Sequence, residues 1–220
     1  MFSANCIQNE VIGQQVYSSP GTYNWVAPSG VTSVSVVAIG SGGGGGYGTN
    51  STDGGAGGGG GGISYQNTIP VIPGNSYTVV VGAIGTAAQY FAGVAGGASY
   101  FDTAAQGGGG GGGGGYNSSG VAGPLGNPQS PTPGGSGNYA TGNQGRAGYP
   151  AAGISGDNAP GGAGQTLLGT ASTFGGGGAG GSNGLVGGSN PFGSPGLTGA
   201  VRIIWPGTSR LFPSTNVMDM

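Results

Sequence analysis

Eight side chains in this 220-residue chain carry charge: Glu10, Asp53, Asp102, Asp157, Asp219, Arg146, Arg202 and Arg210, with no Lys and no His. General acid–base catalysis draws on His or on paired carboxylates, and here successive carboxylates all stand more than forty residues apart. The expectation is a non-enzymatic protein with no catalytic residue. A single Cys, Cys6, with no His to join it can form neither an internal disulfide nor a metal centre, so Cys6 is expected to be a small buried apolar group. Three scattered Arg cannot replace the counterions of a phosphate backbone, which argues against a nucleic-acid partner. Matches to Gly-x-Gly-x-x-Gly follow from composition alone and none is followed by the Lys of a phosphate loop. Calcium-binding repeats need an Asp in each unit, whereas Asp53 and Asp157 stand alone. Asn50-Ser51-Thr52 and Asn117-Ser118-Ser119 read as chance glycosylation matches, and no cofactor is expected.

Aromatic side chains are the richer inventory. Tyr90-Phe91 and Tyr100-Phe101 flank a short Gly/Ala loop, while Tyr47, Tyr116, Tyr139 and Tyr149 sit in polar glycine-rich surroundings. Tyr in a Gly/Ser/Asn background supplies amphipathic contact area at low entropic cost. Tyr90, Phe91, Tyr116, Tyr139 and Tyr149 are therefore the candidate receptor contacts. The competing reading packs these rings on a glycine layer or in a subunit contact. Arg202 reads as a charge on a sheet surface, or as a partner for Asp102 or Glu10.

The elements that must position these residues are set against 61 Gly and 14 Pro. Ordinary β patterning runs over 11–39, with a strand at 22–26, a Pro28-Ser29-Gly30 turn and a strand at 31–39 in which Val34, Val36 and Ala38 alternate with Ser33, Ser35 and Val37. In a second block, Ile63, Tyr65, Asn67 and Ile69 are expected on one face, Pro73-Gly74-Asn75 makes a turn, and 77–81 returns. A third strand covers 199–205, with shorter candidates at 98–101 and 103–106. No eleven-residue window keeps an apolar face free of Gly and Pro, so no helix is expected. The fold class is all-β: a small β-sandwich or jelly-roll-like core carrying glycine-rich tracts of polyglycine or polyproline II type.

Those tracts lie at 42–46, at 57–62 and in an unbroken run at 107–115. Two physical states are open for the stretch after Gly107, a slack linker or an extended threefold helix stacked through backbone contacts. The Gly-X-Y period of collagen fails within a few residues of every tract, so no fixed repeat is expected. The division drawn from this pattern is an N-terminal attachment segment at 1–16, a glycine-rich β domain at 17–206 with a glycine-rich insertion at 107–196, and a C-terminal tail at 207–220. The start of the chain has neither a basic nor an apolar run, and no apolar stretch approaches membrane length. The expected location is intracellular or delivered by assembly, without membrane insertion.

The segment Pro20-Gly21-Thr22-Tyr23-Asn24-Trp25-Val26-Ala27-Pro28-Ser29-Gly30-Val31, running on to Ile39-Gly40-Ser41-Gly42, followed by Pro73-Gly74-Asn75-Ser76-Tyr77-Thr78-Val79-Val80-Val81-Gly82, resembles the glycine-rich domain of tailed-phage virion proteins. The closing Gly199-Ala200-Val201-Arg202-Ile203-Ile204-Trp205-Pro206-Gly207 is similar to that domain's last strand, especially in phages of cyanobacteria. The resemblance implies a virion structural protein, commonly a tail fibre or adhesin, with stacked polyglycine helices and loops that meet the host. Implied partners are other virion proteins, a homo-oligomer for which a trimer is expected, and a host surface glycan. A capsid or neck decoration that stabilises the particle and an extracellular glycine-rich filament or matrix protein are the alternatives.

Overall fold

A computed structural model describes residues 11–47, 57–87, 92–102, 106–107, 165–166, 173–175, 178 and 192–212. All regular elements in them are strands: β1 (Gly13–Tyr17), β2 (Gly21–Val26), β3 (Ser33–Ile39), β4 (Ile63–Pro70), β5 (Ser76–Val81), β6 (Ser99–Phe101), β7 (Gln106–Gly107), β8 (Gln165–Thr166), β9 (Thr173–Phe174) and β10 (Ala200–Trp205). Two antiparallel four-stranded sheets form, in the orders β1-β10-β3-β4 and β2-β5-β6-β7, and β8 pairs with β9. The all-β sandwich expected from the sequence is the observed architecture.

Alternation decides how the sheets meet. Val34, Val36 and Ala38 of β3 and Val201, Ile203 and Trp205 of β10 face Trp25, Val79, Val81 and Phe101 of the second sheet. Four rings fill the centre: Trp25 lies 5.7 Å from Trp205, 5.8 Å from Phe101 and 6.0 Å from Tyr77, and Tyr77 stacks on Phe101. Removing such rings from water supplies the main driving force of a small core. β3 and β10 are buried on both faces, because Val37, Ile39, Ala200 and Ile204 form a second cluster with Ile63 and Phe212 on the outside of the first sheet.

Three sequence expectations change. Ile69 does not share a face with Ile63 and Tyr65: it joins the inner core, while Ile63 and Tyr65 belong to the outer cluster. The cause is a β-bulge between the pairs Val34↔Ile69 and Val36↔Gln66, where Thr68 takes φ 55 and the extra residue on β4 reverses the alternation. Arg202 is not a surface charge, being fully buried on the outer face of β10. Its Nε and Nη2 both donate to Gln14 Oε1, at 3.0 and 2.8 Å, and the guanidinium lies 5.6 Å from the Phe212 ring centre. Residues 13–16, expected in an attachment segment, belong to β1, which pairs with β10 along its whole length.

The turns follow their residue chemistry. Gly74 has φ 83 and donates to Ala27 O, so the 73–75 turn is tied to the end of β2. Asn67 grips the chain after β10 in both directions, its Nδ2 donating to Phe212 O at 2.9 Å and its Oδ1 accepting from Phe212 N at 3.0 Å.

Candidate functional site

Strands run directly into glycine tracts at one end of the sandwich. β3 continues as 40–46, β5 as 82–87, and the tracts 57–62, 92–97 and 193–199 lead into β4, β6 and β10. The central tract is 40–46. Gly40, Ser41, Gly42, Gly43, Gly44 and Gly45 donate in turn to the carbonyls of Gly62, Gly97, Leu197, Gly59, Val94 and Ser194, at 2.8–3.0 Å. The recipient tract changes at every residue and recurs every third. This is the symmetry of an extended threefold helix, with a repeat of about 9 Å. Each recipient steps backward by three as the donor steps forward by three, so all three recipients run antiparallel to the central tract.

Two further tracts run the same way as the centre and donate to it. Gly85 N bonds Gly42 O at 2.9 Å and Gly178 N bonds Gly43 O at 2.8 Å. They are also joined to the antiparallel tracts, through Gly97 to Ala83, Val94 to Thr86 and Gly196 to Gly85 on one side, and through Gly58 to Gly178, Gly61 to Gly175 and Gly175 to Thr198 on the other. The tract hydrogen-bonding groups are thus paired between tracts rather than within them, as buried peptide groups require.

Close approach explains the composition. A Cβ at Gly58 or Gly61 would overlap the carbonyl of Gly43 or Gly40, one at Gly93 or Gly96 that of Gly44 or Ser41, and one at Gly193 or Gly196 that of Gly45 or Gly42. The inward glycines are spaced by three: 58/61, 82/85, 93/96, 175/178 and 193/196/199. Positions between them can carry side chains, and in the outer tracts Ala83, Ile84, Thr86, Ala92, Val94, Ala95, Ser194, Pro195 and Leu197 are exposed. The expectation that no fixed repeat exists is therefore corrected: the repeat is a three-residue spacing restarted in each short tract, hidden by the unequal connections between tracts.

At the end of the bundle away from the sandwich stand Tyr47, Gly57, Ala87, Ala92 and Phe192. Gly44 packs on the Thr86 carbonyl, Gly193 on the carbonyls of Gly45 and Gly46, and the rings of Tyr47 and Phe192 lie 5.8 Å apart, edge to face. The chain leaves and re-enters the described bundle here. Tyr90 and Phe91 lie outside the described residues. Tyr116, Tyr139 and Tyr149 also lie outside the described residues, as do Cys6, Glu10, most of the run at 107–115 and residues 103–105 of the strand candidate at 103–106, whose Gln106 begins β7. Phe192 was not singled out from the sequence. The signal that finds it is its place beside Gly193, the first inward glycine of the 193/196/199 series.

Among the described residues no group of three His, Cys, Asp or Glu is placed to hold a metal ion, and no helix is long and apolar enough to cross a membrane. Arg202 and Arg210 sit at the sandwich, where Arg210 Nη1 donates to Gly13 O and to Trp205 O at 2.6 and 3.1 Å. Tyr17 has its pKa raised, first by burial and second by the neighbouring Tyr23.

Fold and bundle define a β-sandwich module extended by stacked glycine helices. The family model of the glycine-rich domain matches residues 18–207, and the chain belongs to that family. No curated protein matches the chain.

Proposed function

We propose that the protein is a non-enzymatic structural component of a phage virion, a tail-fibre or adhesin-like module attached to other virion proteins and presenting its far end to the host surface. The observation that carries this reading is the polarity of the molecule. Strands and both clusters of buried apolar side chains occupy one end, and the hydrogen-bonded tracts carry the chain to the other, where Tyr47, Gly57, Ala87, Ala92 and Phe192 stand. A rigid scaffold is suited to recognition, because groups fixed on it do not lose on binding the entropy that free loops lose. The tract surface is uncharged among its described residues, which favours contact through shape, ring faces and peptide groups over electrostatic capture. The resemblance of the β blocks and last strand to tailed-phage glycine-rich domains supplies the virion setting.

The test is competition. Purified protein is added to host cells before infection, and particles are labelled with an antibody to this chain. The reading predicts slowed adsorption and label at a fibre tip or baseplate. Label confined to the head, with adsorption unchanged, would contradict host attachment.

A further inference from the structure

β1 is the least buried strand of the first sheet. None of its residues is buried, whereas every residue of β10 beside it is. Among the described residues it pairs on one side only, at the edge of the order β1-β10-β3-β4. The register runs from Gly13↔Trp205 to Tyr17↔Val201, so the chain enters the sandwich and leaves it at the same pair, at the end away from the bundle. Two side chains clasp that end. Arg210 Nη1 bridges Gly13 O and Trp205 O, and Gln14 Oε1 accepts from Arg202 Nε and Nη2 on the outer face. The other end of β1 is held by packing: Tyr17 lies against the inner cluster with its ring 4.9 Å from that of Tyr23, and Thr198 Oγ1 donates to Ser18 O at 3.0 Å.

We propose that β1 is a strap that releases under tension. A pull across the points where the chain enters and leaves loads the Gly13↔Trp205 pair first and the later pairs one after another, because antiparallel neighbours pulled from the same end part in sequence. Elements with few buried contacts open locally before the fold as a whole, and peeling exposes little apolar surface until Tyr17, which sets the stop. A pull along the strands acts differently. From Ala92 at the far end it runs through the 92–97 tract into β6, and from Ile72 through the 73–75 turn into β5, so two antiparallel neighbours are drawn past each other from opposite ends. The pairs Val79↔Phe101 and Val80↔Tyr100 then bear the load together with the tract bonds from Gly97 to Ala83, Val94 to Thr86, Gly44 to Val94 and Ser41 to Gly97. Tension across the entry and exit points thus lengthens the connection there and leaves the bundle assembled. The property belongs to the fold and does not depend on what the far end meets.

Single molecules of the full chain are stretched between cysteine-attached handles in a Cys6→Ser background. One geometry uses Ile12→Cys with Thr208→Cys and the other Ile72→Cys with Ala92→Cys, all four positions being exposed. Thermal melts confirm that each variant is folded. The first geometry is expected to show an early step, at lower force than any event in the second, that releases about five residues or roughly 17 Å of chain before global unfolding. Gln14→Ala is expected to lower the force of that step and to leave the second geometry unchanged. Equal forces in the two geometries, a first step that unfolds the whole sandwich, or a Gln14→Ala step at the parent force overturns the proposal.

Discussion

The hydroxyl of Ser41 donates to the carbonyl of Gly82 at 2.6 Å, in the fully buried layer where strands give way to glycine helices. The same oxygen accepts from Gly199 N at 2.8 Å, and Ser99 Oγ accepts from Gly82 N at 3.1 Å. Two serines thus complete the peptide hydrogen bonds of tracts that have left sheet register and not yet entered the threefold one. Ser41→Ala leaves a buried carbonyl and a buried N–H without this partner, and each such loss costs roughly 1–3 kcal/mol. Urea denaturation is expected to show a clear loss of stability for Ser41→Ala, and near-native stability would show that the hydroxyl is dispensable.

Substitution along an outer tract is expected to follow a period of three. Gly196→Ala drives a methyl into the Gly42 carbonyl, and since backbone cannot yield as a side chain can, the loss is expected to exceed about 3 kcal/mol. Its neighbour Leu197 is exposed, and Leu197→Ser is expected to change stability by no more than about 0.5 kcal/mol. Thermal melts of alanine variants at 193, 196 and 199 against serine variants at 195 and 197 read the period directly.

Gln14 is a neutral acceptor for the buried guanidinium of Arg202. Gln14→Ala removes the acceptor of the bonds from Arg202 Nε and Nη2, and hydrogen bonds to charged groups contribute about 1.5–3 kcal/mol. A loss of that size in urea is expected, together with faster amide exchange in β1. An unchanged midpoint would show that β1 contributes little to the sandwich.

Alkali is expected to weaken the fold through Tyr17. Its pKa is raised in the folded state, so the folded protein holds this proton more tightly than the unfolded chain. The corresponding stabilisation is complete below the ordinary tyrosine value near 10 and is lost as pH rises through the folded value. Tyr17→Phe is expected to flatten the decline of melting temperature above pH 10, and an identical decline would assign it to other groups.

Much of the sandwich was legible because its signals are local. The turn from β4 into β5 is written in Pro73-Gly74-Asn75 and β5 in the β-branched run after it, and β10 in an apolar strand ended by Pro206-Gly207. The bulge at Thr68 was hidden because a one-residue slip leaves the hydrophobic pattern plausible on either face. Arg202 was misplaced because the cover of the first sheet's outer face comes from Phe212, across a loop that no periodicity announces. The glycine bundle was half visible. Composition required backbone-to-backbone packing, but the inward spacing of three emerges only when tracts distant in sequence are laid around residues 40–46. The Tyr47–Phe192 pair was invisible for the same reason, since 145 positions separate residues that two antiparallel tracts bring together.

The account rests on the glycine tracts being a hydrogen-bonded scaffold, and amide hydrogen exchange at Gly40, Gly42, Gly43, Gly44 and Gly45 tests this most directly. Each of these N–H groups has a named carbonyl acceptor at 2.8–3.0 Å, and protection comparable with that of β3 is predicted. Exchange at the rate of an unstructured glycine peptide would contradict the scaffold, and with it the presentation of the far end.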